Sequence, residues 1–222
     1  MAVKFLVAAF EKSGKSTITS KLRNSFVFNF DAKEYGFRVP HSNIKDYNGM
    51  SGILAQMAEK IKIYKEKTGK LPETIVIDTV TQMYSAMQSY NSEPGRFKGF
   101  AIHTANTKDT LDFNDFIEKQ LIPNGMNVVI VAHTKYDEAT GRFIIPASGA
   151  FKDGGSWTSV VNDSIYIEQK NGKLVVHLDN LKYPCRTTLT DLPESMPIEE
   201  YNLQEHLDKL TASKLEALEF EY

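Results

Sequence analysis

Residues 11–17 (EKSGKST) have the residue types and the spacing that hold a nucleotide phosphate. They follow a mostly apolar run of strand length, residues 4–9, and lead into a segment that can form a helix. Backbone N–H groups converging at such a turn bind anions, and the helix dipole favours negative charge there. The layout is that of a P-loop, with Ala9 where the usual pattern has glycine. The predicted nucleotide-binding residues are Glu11, Lys12, Ser13, Gly14, Lys15, Ser16 and Thr17.

Two of these side chains have predicted chemical roles. Lys15 would place its ammonium on the β- and γ-phosphates, and Ser16 would offer its hydroxyl to Mg²⁺. A second oxygen ligand for the metal is predicted at Asp78, which ends a short, continuously apolar run typical of a buried parallel strand. A carboxylate at a strand end can also cap the helix that follows, and the two roles are compatible.

Composition limits the class of protein. A chain of 222 residues with 41% hydrophobic and 24% charged residues forms one large domain, or one domain with a small annex. Its formal net charge of −2 argues against a general basic coat for nucleic acid, so any such binding must use local patches. Cys185 is the only cysteine, which excludes an internal disulfide and a cysteine-cluster metal site. We expect a cytoplasmic protein, because no apolar run reaches membrane-spanning length and no leader pattern is present.

The hydrophobic pattern predicts an α/β fold. Strand-like runs alternate with helical spacing through the first two thirds of the chain, which favours a mostly parallel sheet flanked by helices. Asn171-Gly172 then joins two alternating segments, a strong signal for an antiparallel hairpin on the C-terminal side. Leucines at 203, 207 and 210 predict a helix near the end of the chain.

Two polar loops, residues 91–99 and 134–159, interleave cations with aromatic residues. Bases stack on exposed rings while cations attract phosphates, so these loops are predicted to bind single-stranded DNA. Any one ring could instead fold back into the core, and this alternative is strongest for Trp157. The predicted DNA-binding residues are Arg96, Phe97, Lys98, Lys135, Arg142, Phe143, Lys152 and Trp157.

Small GTPases and small-molecule kinases are built on the same nucleotide-binding scaffold. Residues 134–137 (TKYD) imitate the guanine-reading motif of small GTPases, but the strand ending at Asp78 is not followed by the glycine that a GTPase places near the γ-phosphate. A small-molecule kinase usually has an arginine-rich lid, whereas the five arginines here are widely scattered.

Several segments together resemble the RecA family of recombination ATPases. They are the P-loop with Glu11 and Ser13, the acidic turn at residues 30–34, the strand at residues 75–80, the Gly154-Gly155 pair, and residues 175–186 with Asn180 and Lys182. The resemblance covers about residues 3–190 and is nearest to the short, single-domain, RecA-like ATPases of bacteriophages that serve as single-strand annealing proteins. It implies a RecA-like P-loop NTPase core over residues 1–192 and a helical tail over residues 193–222.

The resemblance also implies roles for individual residues. Glu34 would orient the attacking water as general base, with Asp31 as the alternative. His133 would sense the γ-phosphate, so the predicted catalytic set is Lys15, Glu34, Asp78 and His133. Lys182 or Arg186 would act in trans on a neighbour's nucleotide, which implies a homo-oligomeric ring or filament with ATP at the subunit interface.

The expected function is therefore that of a Mg²⁺-dependent ATPase, with ATP and Mg²⁺ as cofactors. It would bind single-stranded DNA and promote annealing or strand pairing in phage DNA recombination, in the host cytoplasm. A single-strand-binding protein is a possible partner, and no membrane association is expected. The alternative is a P-loop GTPase switch that binds a protein partner.

Overall fold

A computed structural model describes residues 1–31, 33–146 and 157–216, and for residues 214–216 it describes the backbone only. The described residues contain ten strands, numbered in chain order. Their bounds are β1 Lys4–Ala9, β2 Ser25–Asn29, β3 His41–Asn43, β4 Thr74–Asp78, β5 Asn127–His133, β6 Lys135–Asp137, β7 Arg142–Ile144, β8 Asp163–Lys170, β9 Lys173–His177 and β10 Ser195–Pro197.

Eight strands form one sheet in the order β10-β9-β8-β1-β5-β4-β2-β3. β1 lies in the middle and runs parallel to both neighbours, so that Ala9 is beside His133 of β5 and Ile167 of β8. Pairing is parallel from β8 to β3, and antiparallel where β9 and β10 join. The predicted α/β class, with antiparallel strands on the C-terminal side, is confirmed.

Helices cover both faces of the sheet. They are α1 Lys15–Thr19, α2 Met50–Thr68, α3 Val80–Asn91, α4 Phe100–Phe116, α5 Trp157–Val160 and α6 Leu203–Glu216, with a π-helical turn, Ile117–Leu121, after α4. Local sequence sets several ends. Thr79 caps α3 by accepting the N–H of Gln82 at 3.3 Å, and Gly69 ends α2 in the left-handed conformation that glycine adopts without steric cost.

Alternation along the strands divides the core between the two faces. In β1, Leu6 and Ala8 face a cluster built with α2, α3 and α4, whereas Phe5 and Val7 face a cluster built with α1 and α6. All four side chains are fully buried. A strand buried on both faces reads as a continuous apolar run, which is why the central strands were predictable.

The C-terminal helix is fixed to the sheet by a buried polar contact. Nε2 of His206 lies 2.9 Å from Oδ2 of Asp163 in β8, and Nδ1 of His206 lies 2.9 Å from the hydroxyl of Tyr201. The Asp163 carboxylate also accepts hydrogen bonds from Thr187 and Thr188. Burial alone would raise the pKa of Asp163, but the hydrogen bonds from His206 and the two threonines bring this pKa below its usual value.

Some elements differ from the sequence prediction. β6 and β7 form a separate hairpin inside the segment that was expected to be one long loop. The apolar residues Phe113, Phe116, Ile117 and Leu121 predict a helix in this region, but α4 begins much earlier, at Phe100. The final segment adds β10 to the sheet as well as the expected helix.

Replacing His206 by alanine should lower the free energy of unfolding by about 3 kcal/mol or more, because it leaves a buried carboxylate without its main partner. Urea unfolding measures this change. Lys209 lies on the same helix, and Lys209→Ala, which removes its exposed ion pair with Asp191, should change stability little. Equal effects of the two variants would mean that the Asp163–His206 contact does not hold α6.

Candidate active site

The predicted phosphate site lies at the carboxyl edge of the parallel strands. β1, β5 and β4 are neighbours in the sheet, and their ends bring the loop after Ala9 together with His133 and Asp78. A cleft of about 300 Å³ opens there. It is lined by Lys12, Ser13, Gly14, Lys15, Ser16, Thr17, Asp31, Phe37, Asp78, Thr79 and His133.

The loop backbone requires glycine at one position. Gly14 has a φ of +81°, and a Cβ atom added to it would lie 3.2 Å from Cδ1 of Leu174 and 3.4 Å from Cδ1 of Ile198. Ser13 closes the turn from inside through its hydroxyl, which donates to the carbonyl of Phe10. The loop is therefore supported by β9 and by the segment that follows β10.

Lys15 carries a charge that is almost completely removed from water. The residue is only 5% exposed, and its ammonium donates to the backbone carbonyls of Phe10 and Ala9. Burial lowers its pKa to about 8, although Asp78 and other nearby carboxylates oppose the shift. A phosphate would supply this ammonium with the anionic partner that the carbonyls cannot provide.

Asp78 is the opposite charge at the same edge. Its Oδ2 accepts a hydrogen bond of 2.8 Å from Oγ of Ser16, and the residue is 3% exposed. Burial raises its pKa to about 6, assisted by the charge of Asp31 and opposed by Ser16 and Lys15. A hydroxyl and a carboxylate held side by side fit the oxygen preference of Mg²⁺, so the site fits a magnesium nucleotide.

Asp31 and Glu34, the two candidate bases, are placed differently. Asp31 lines the cleft, and Oδ1 of Asn29 fixes its turn by accepting the Asp31 N–H at 3.1 Å. The Glu34 side chain is 81% exposed, lies outside the cleft lining, and has Lys45 as its neighbour at 3.6 Å. The geometry therefore favours the alternative, Asp31, over Glu34.

His133 ends β5 and lines the cleft. Its Nδ1 is buried and has no hydrogen-bond partner among the described residues. Burial, followed by the nearby charge of Lys15, lowers the pKa of His133, which favours the neutral imidazole. Its backbone N–H donates to Oγ1 of Thr81 at 3.2 Å, and that hydroxyl lies 3.2 Å from Oγ1 of Thr79 beside Asp78.

A family model described as an AAA domain matches residues 1–147, about two thirds of the chain. The chain belongs to this family. The match covers the P-loop, Asp78 and His133, and the family implies a nucleotide-dependent ATPase. No curated protein matches the sequence.

The described part of this AAA domain has no helix long and apolar enough to cross a membrane. It also has no cluster of three or more histidine, cysteine or acidic side chains placed to hold a metal ion. With Ser16 and Asp78 as protein ligands, a magnesium ion would fill its remaining positions with water and nucleotide phosphate oxygens, which is the usual coordination of Mg²⁺.

The first predicted DNA loop of the AAA domain is exposed on the surface. Phe97 is 43% exposed, and Lys98 is exposed beside it. Arg96 is less free, because its Nε is 2.7 Å from Oε2 of Glu93 and its guanidinium lies over the ring of Tyr90. These positions agree with a surface that can contact a ligand.

The second predicted DNA loop is only partly described. Lys135 and Arg142 are exposed on the β6–β7 hairpin, and Tyr136 between them is 49% exposed. Phe143 is half-buried and stacks on Tyr183 with the ring centroids 5.3 Å apart, so only part of its ring is accessible. Lys152 and the Gly154-Gly155 pair lie outside the described residues.

The assignment of Trp157 to DNA binding is not retained. The side chain is fully buried between Tyr84, stacked at 6.5 Å, and Phe113, packed edge-on at 6.1 Å. A ring in this position has no free face for a base, so Trp157 anchors α5 to the core. The alternative interpretation of Trp157, that its ring folds back into the core, is confirmed.

The two residues expected to act in trans are both exposed. Nζ of Lys182 lies 5.5 Å from the ring centroid of Tyr183, and Nη2 of Arg186 donates to the carbonyl of Val161 at 2.8 Å. Both side chains are thus accessible from outside the molecule, and Arg186 would have to exchange one internal hydrogen bond for an external partner.

Sequence reasoning missed Phe10 as a functional candidate. It lies inside the P-loop, is 45% exposed, and meets Phe143 of the hairpin edge-on with the ring centroids 5.2 Å apart. The available signal was a large apolar side chain in a loop that is otherwise polar. Its contact with a hairpin more than a hundred residues later could not be read from the sequence.

Asp78→Asn should stabilise the protein in the absence of nucleotide. The folded pKa of about 6 lies above the unfolded value, so the cost of ionising Asp78 appears as pH rises from about 4 to 6. Asparagine keeps an acceptor for Ser16 without the charge, so stability should rise by about 1–3 kcal/mol at neutral pH. At about pH 4 the difference should vanish, because Asp78 is then protonated.

Thermal melts of both proteins across this pH range measure the difference. The assigned burial of charge would be contradicted if Asp78→Asn were less stable than the unaltered protein at neutral pH. It would also be contradicted if the variant were more stable by the same amount at every pH.

Proposed function

We propose that this AAA domain is a Mg²⁺-dependent ATPase that binds single-stranded DNA and promotes annealing or strand pairing in phage DNA recombination. The observation that carries the ATPase proposal is the meeting of Lys15, Ser16 and Asp78 in one cleft. DNA binding is supported by the exposed cations and rings of residues 92–99 and of the β6–β7 hairpin.

The P-loop backbone and five side chains of the cleft have roles in the proposal. The P-loop amides and Lys15 would hold the phosphates, and Ser16 with Asp78 would hold Mg²⁺, which neutralises phosphate charge when bound. Asp31 would orient and deprotonate the attacking water, and His133 would offer its unpaired Nδ1 to the γ-phosphate.

The guanine-reading alternative is less favoured. Oδ2 of Asp137 accepts a hydrogen bond from Oγ1 of Thr140 at 2.6 Å, and its backbone pairs with Arg142 inside the hairpin. The carboxylate that would have to read guanine thus helps to close the turn of the hairpin.

A physical link joins the nucleotide site to the proposed DNA surface. The carbonyl of Phe10 accepts the Lys15 ammonium, while the ring of Phe10 rests on Phe143. Only Thr134 separates His133 from the start of β6. Nucleotide contacts at Lys15 and His133 would therefore act on the hairpin from two sides, which supports ATP-dependent strengthening of DNA binding.

The proposal includes a homo-oligomer, as a ring or filament, in which Lys182 or Arg186 of one subunit reaches the ATP of its neighbour. Their exposure supports this arrangement. A single-strand-binding protein remains a proposed partner.

Lys15→Ala should abolish ATP hydrolysis in a folded protein, and Asp31→Asn should slow it by about 10²–10⁴-fold while ATP still binds. Glu34→Gln, in the same turn but outside the cleft, serves as the matched control and should keep most activity. Phosphate release measures turnover, and a fluorescent ATP analogue measures binding. If Glu34→Gln is inactive and Asp31→Asn is not, the base is Glu34.

Single-strand affinity should fall with salt at a log–log slope of roughly −2, since Lys98, Lys135 and Arg142 are exposed without carboxylate partners among the described residues. Lys98→Ala combined with Lys135→Ala should flatten this slope by about one unit, from about 0.7 per phosphate contact. Fluorescence anisotropy with a non-hydrolysable ATP analogue and Mg²⁺ measures the slope.

The matched control is Lys65→Ala with Lys67→Ala, which removes two exposed lysines from the last turn of α2. This pair should leave the slope unchanged. No binding at low salt with the analogue present would remove DNA from the proposed function.

A further inference from the structure

A second cleft, of about 740 Å³, lies away from the nucleotide site. It is bounded by the amino end of α2, the carboxyl end of α3, the loop that follows α3 and the first half of α4. Arg96 and Phe97 of the first DNA loop form part of its wall. None of its lining residues belongs to the nucleotide site, and its volume exceeds what one nucleotide base requires.

The floor of this cleft is polar and rigid. The side-chain amide of Asn91, a residue only 2% exposed, donates to Oδ1 of Asn106 at 2.8 Å and to Oδ2 of Asp109 at 2.9 Å. These two bonds join α3 to α4 and fix the Asp109 carboxylate. A carboxylate has about four acceptor positions, so Asp109, which also interacts with the nearby Tyr47 hydroxyl, keeps capacity for a further donor.

The wall of the cleft offers flat groups for stacking. The Arg96 guanidinium carbon lies 3.4 Å from the ring centroid of Tyr90, and the Tyr90 hydroxyl donates to the carbonyl of Asn48 at 3.1 Å. Phe97 is partly exposed on the same loop. Aromatic rings and guanidinium planes are the surfaces on which unstacked bases rest.

The charges of the cleft decide which part of a nucleic acid fits. Both cations are matched by carboxylates, Arg96 by Glu93 and Lys108 by Asp112, and Asp109 adds a further negative charge. The excess of negative charge therefore disfavours the binding of a phosphate in this cleft. A neutral, flat ring that can donate a hydrogen bond to Asp109 suits the site.

We propose that this cleft binds one unstacked base of the single strand, and that it prefers a base with an exocyclic amine, which would donate to Asp109. The inference rests on the proposed single-strand binding and adds a base preference to it. The amine at C4 of cytosine can donate to a carboxylate, whereas thymine carries a carbonyl oxygen at that position and can offer only its ring N3–H.

Cytosine and thymine oligomers of equal length test the preference, because both are pyrimidines and lack the strong stacking of purines. With Mg²⁺ and a non-hydrolysable ATP analogue at neutral pH, anisotropy should show oligo-dC binding about fivefold or more tighter than oligo-dT. Asp109→Asn keeps an acceptor for Asn91 but introduces a donor suited to thymine, so the preference should be lost or reversed.

Asp112→Asn is the matched control, since it removes the same charge from the same helix without changing the floor. It should retain the preference, and both variants should retain ATP hydrolysis without DNA and a normal melting temperature. Equal binding of the two oligomers by the unaltered protein, or a preference that survives Asp109→Asn, overturns the base pocket while single-strand binding stands. Loss of the preference in Asp112→Asn as well assigns it to charge and also overturns the pocket.

If neither oligomer binds under any salt condition, the proposed DNA function fails and the base pocket fails with it. If an arginine-rich peptide then binds and Asp109→Asn weakens it, the cleft is a protein-docking site.

Discussion

The candidate site depends on two opposite charges held out of water at one edge of the sheet. The Lys15 ammonium and the Asp78 carboxylate are both almost completely buried. Burial lowers the pKa of Lys15 and raises the pKa of Asp78, so both shifts favour the neutral form of the side chain. Among the residues that the structure describes, Lys15 has only backbone carbonyls and Asp78 only the Ser16 hydroxyl as hydrogen-bond partners, so neither charge is fully satisfied by this part of the protein. A magnesium nucleotide carries both missing partners, which gives the free protein a direct energetic reason to bind one.

The strand order explains why this pair could be predicted from the sequence. Apolar runs buried on both faces leave a strong pattern, and a polar residue at the end of such a run must lie at the sheet edge. Asp78 and His133 follow this rule, Lys15 lies at the start of the helix that follows the P-loop, and the structure places all three in one cleft. The P-loop could be predicted although position 9 is not glycine, because Gly14 is the position whose backbone conformation requires glycine.

The rest of the site depends on contacts between distant segments, which a sequence does not display. Asp31 and Glu34 occupy the same turn, but Asp31 lines the cleft whereas Glu34 is exposed beside Lys45, and the sequence does not display this difference. The sequence around Trp157 has the composition of a DNA-binding loop. The large apolar side chain of Trp157 is nevertheless buried against Tyr84 and Phe113. The β6–β7 hairpin was missed because its strands are three residues long and carry no clear alternation.

Phe10 contacts both Lys15 of the nucleotide cleft and Phe143 of the β6–β7 hairpin. Its carbonyl is an acceptor for Lys15, and its ring is packed against a hairpin that carries Lys135 and Arg142. In the proposed function, a phosphate that takes over the Lys15 ammonium would release this carbonyl, and the P-loop could then relax around Phe10. Because Phe143 is itself stacked on Tyr183, a shift of Phe10 would be transmitted to a packed cluster and not absorbed by a flexible loop. The nucleotide would thereby influence the DNA surface through one aromatic contact.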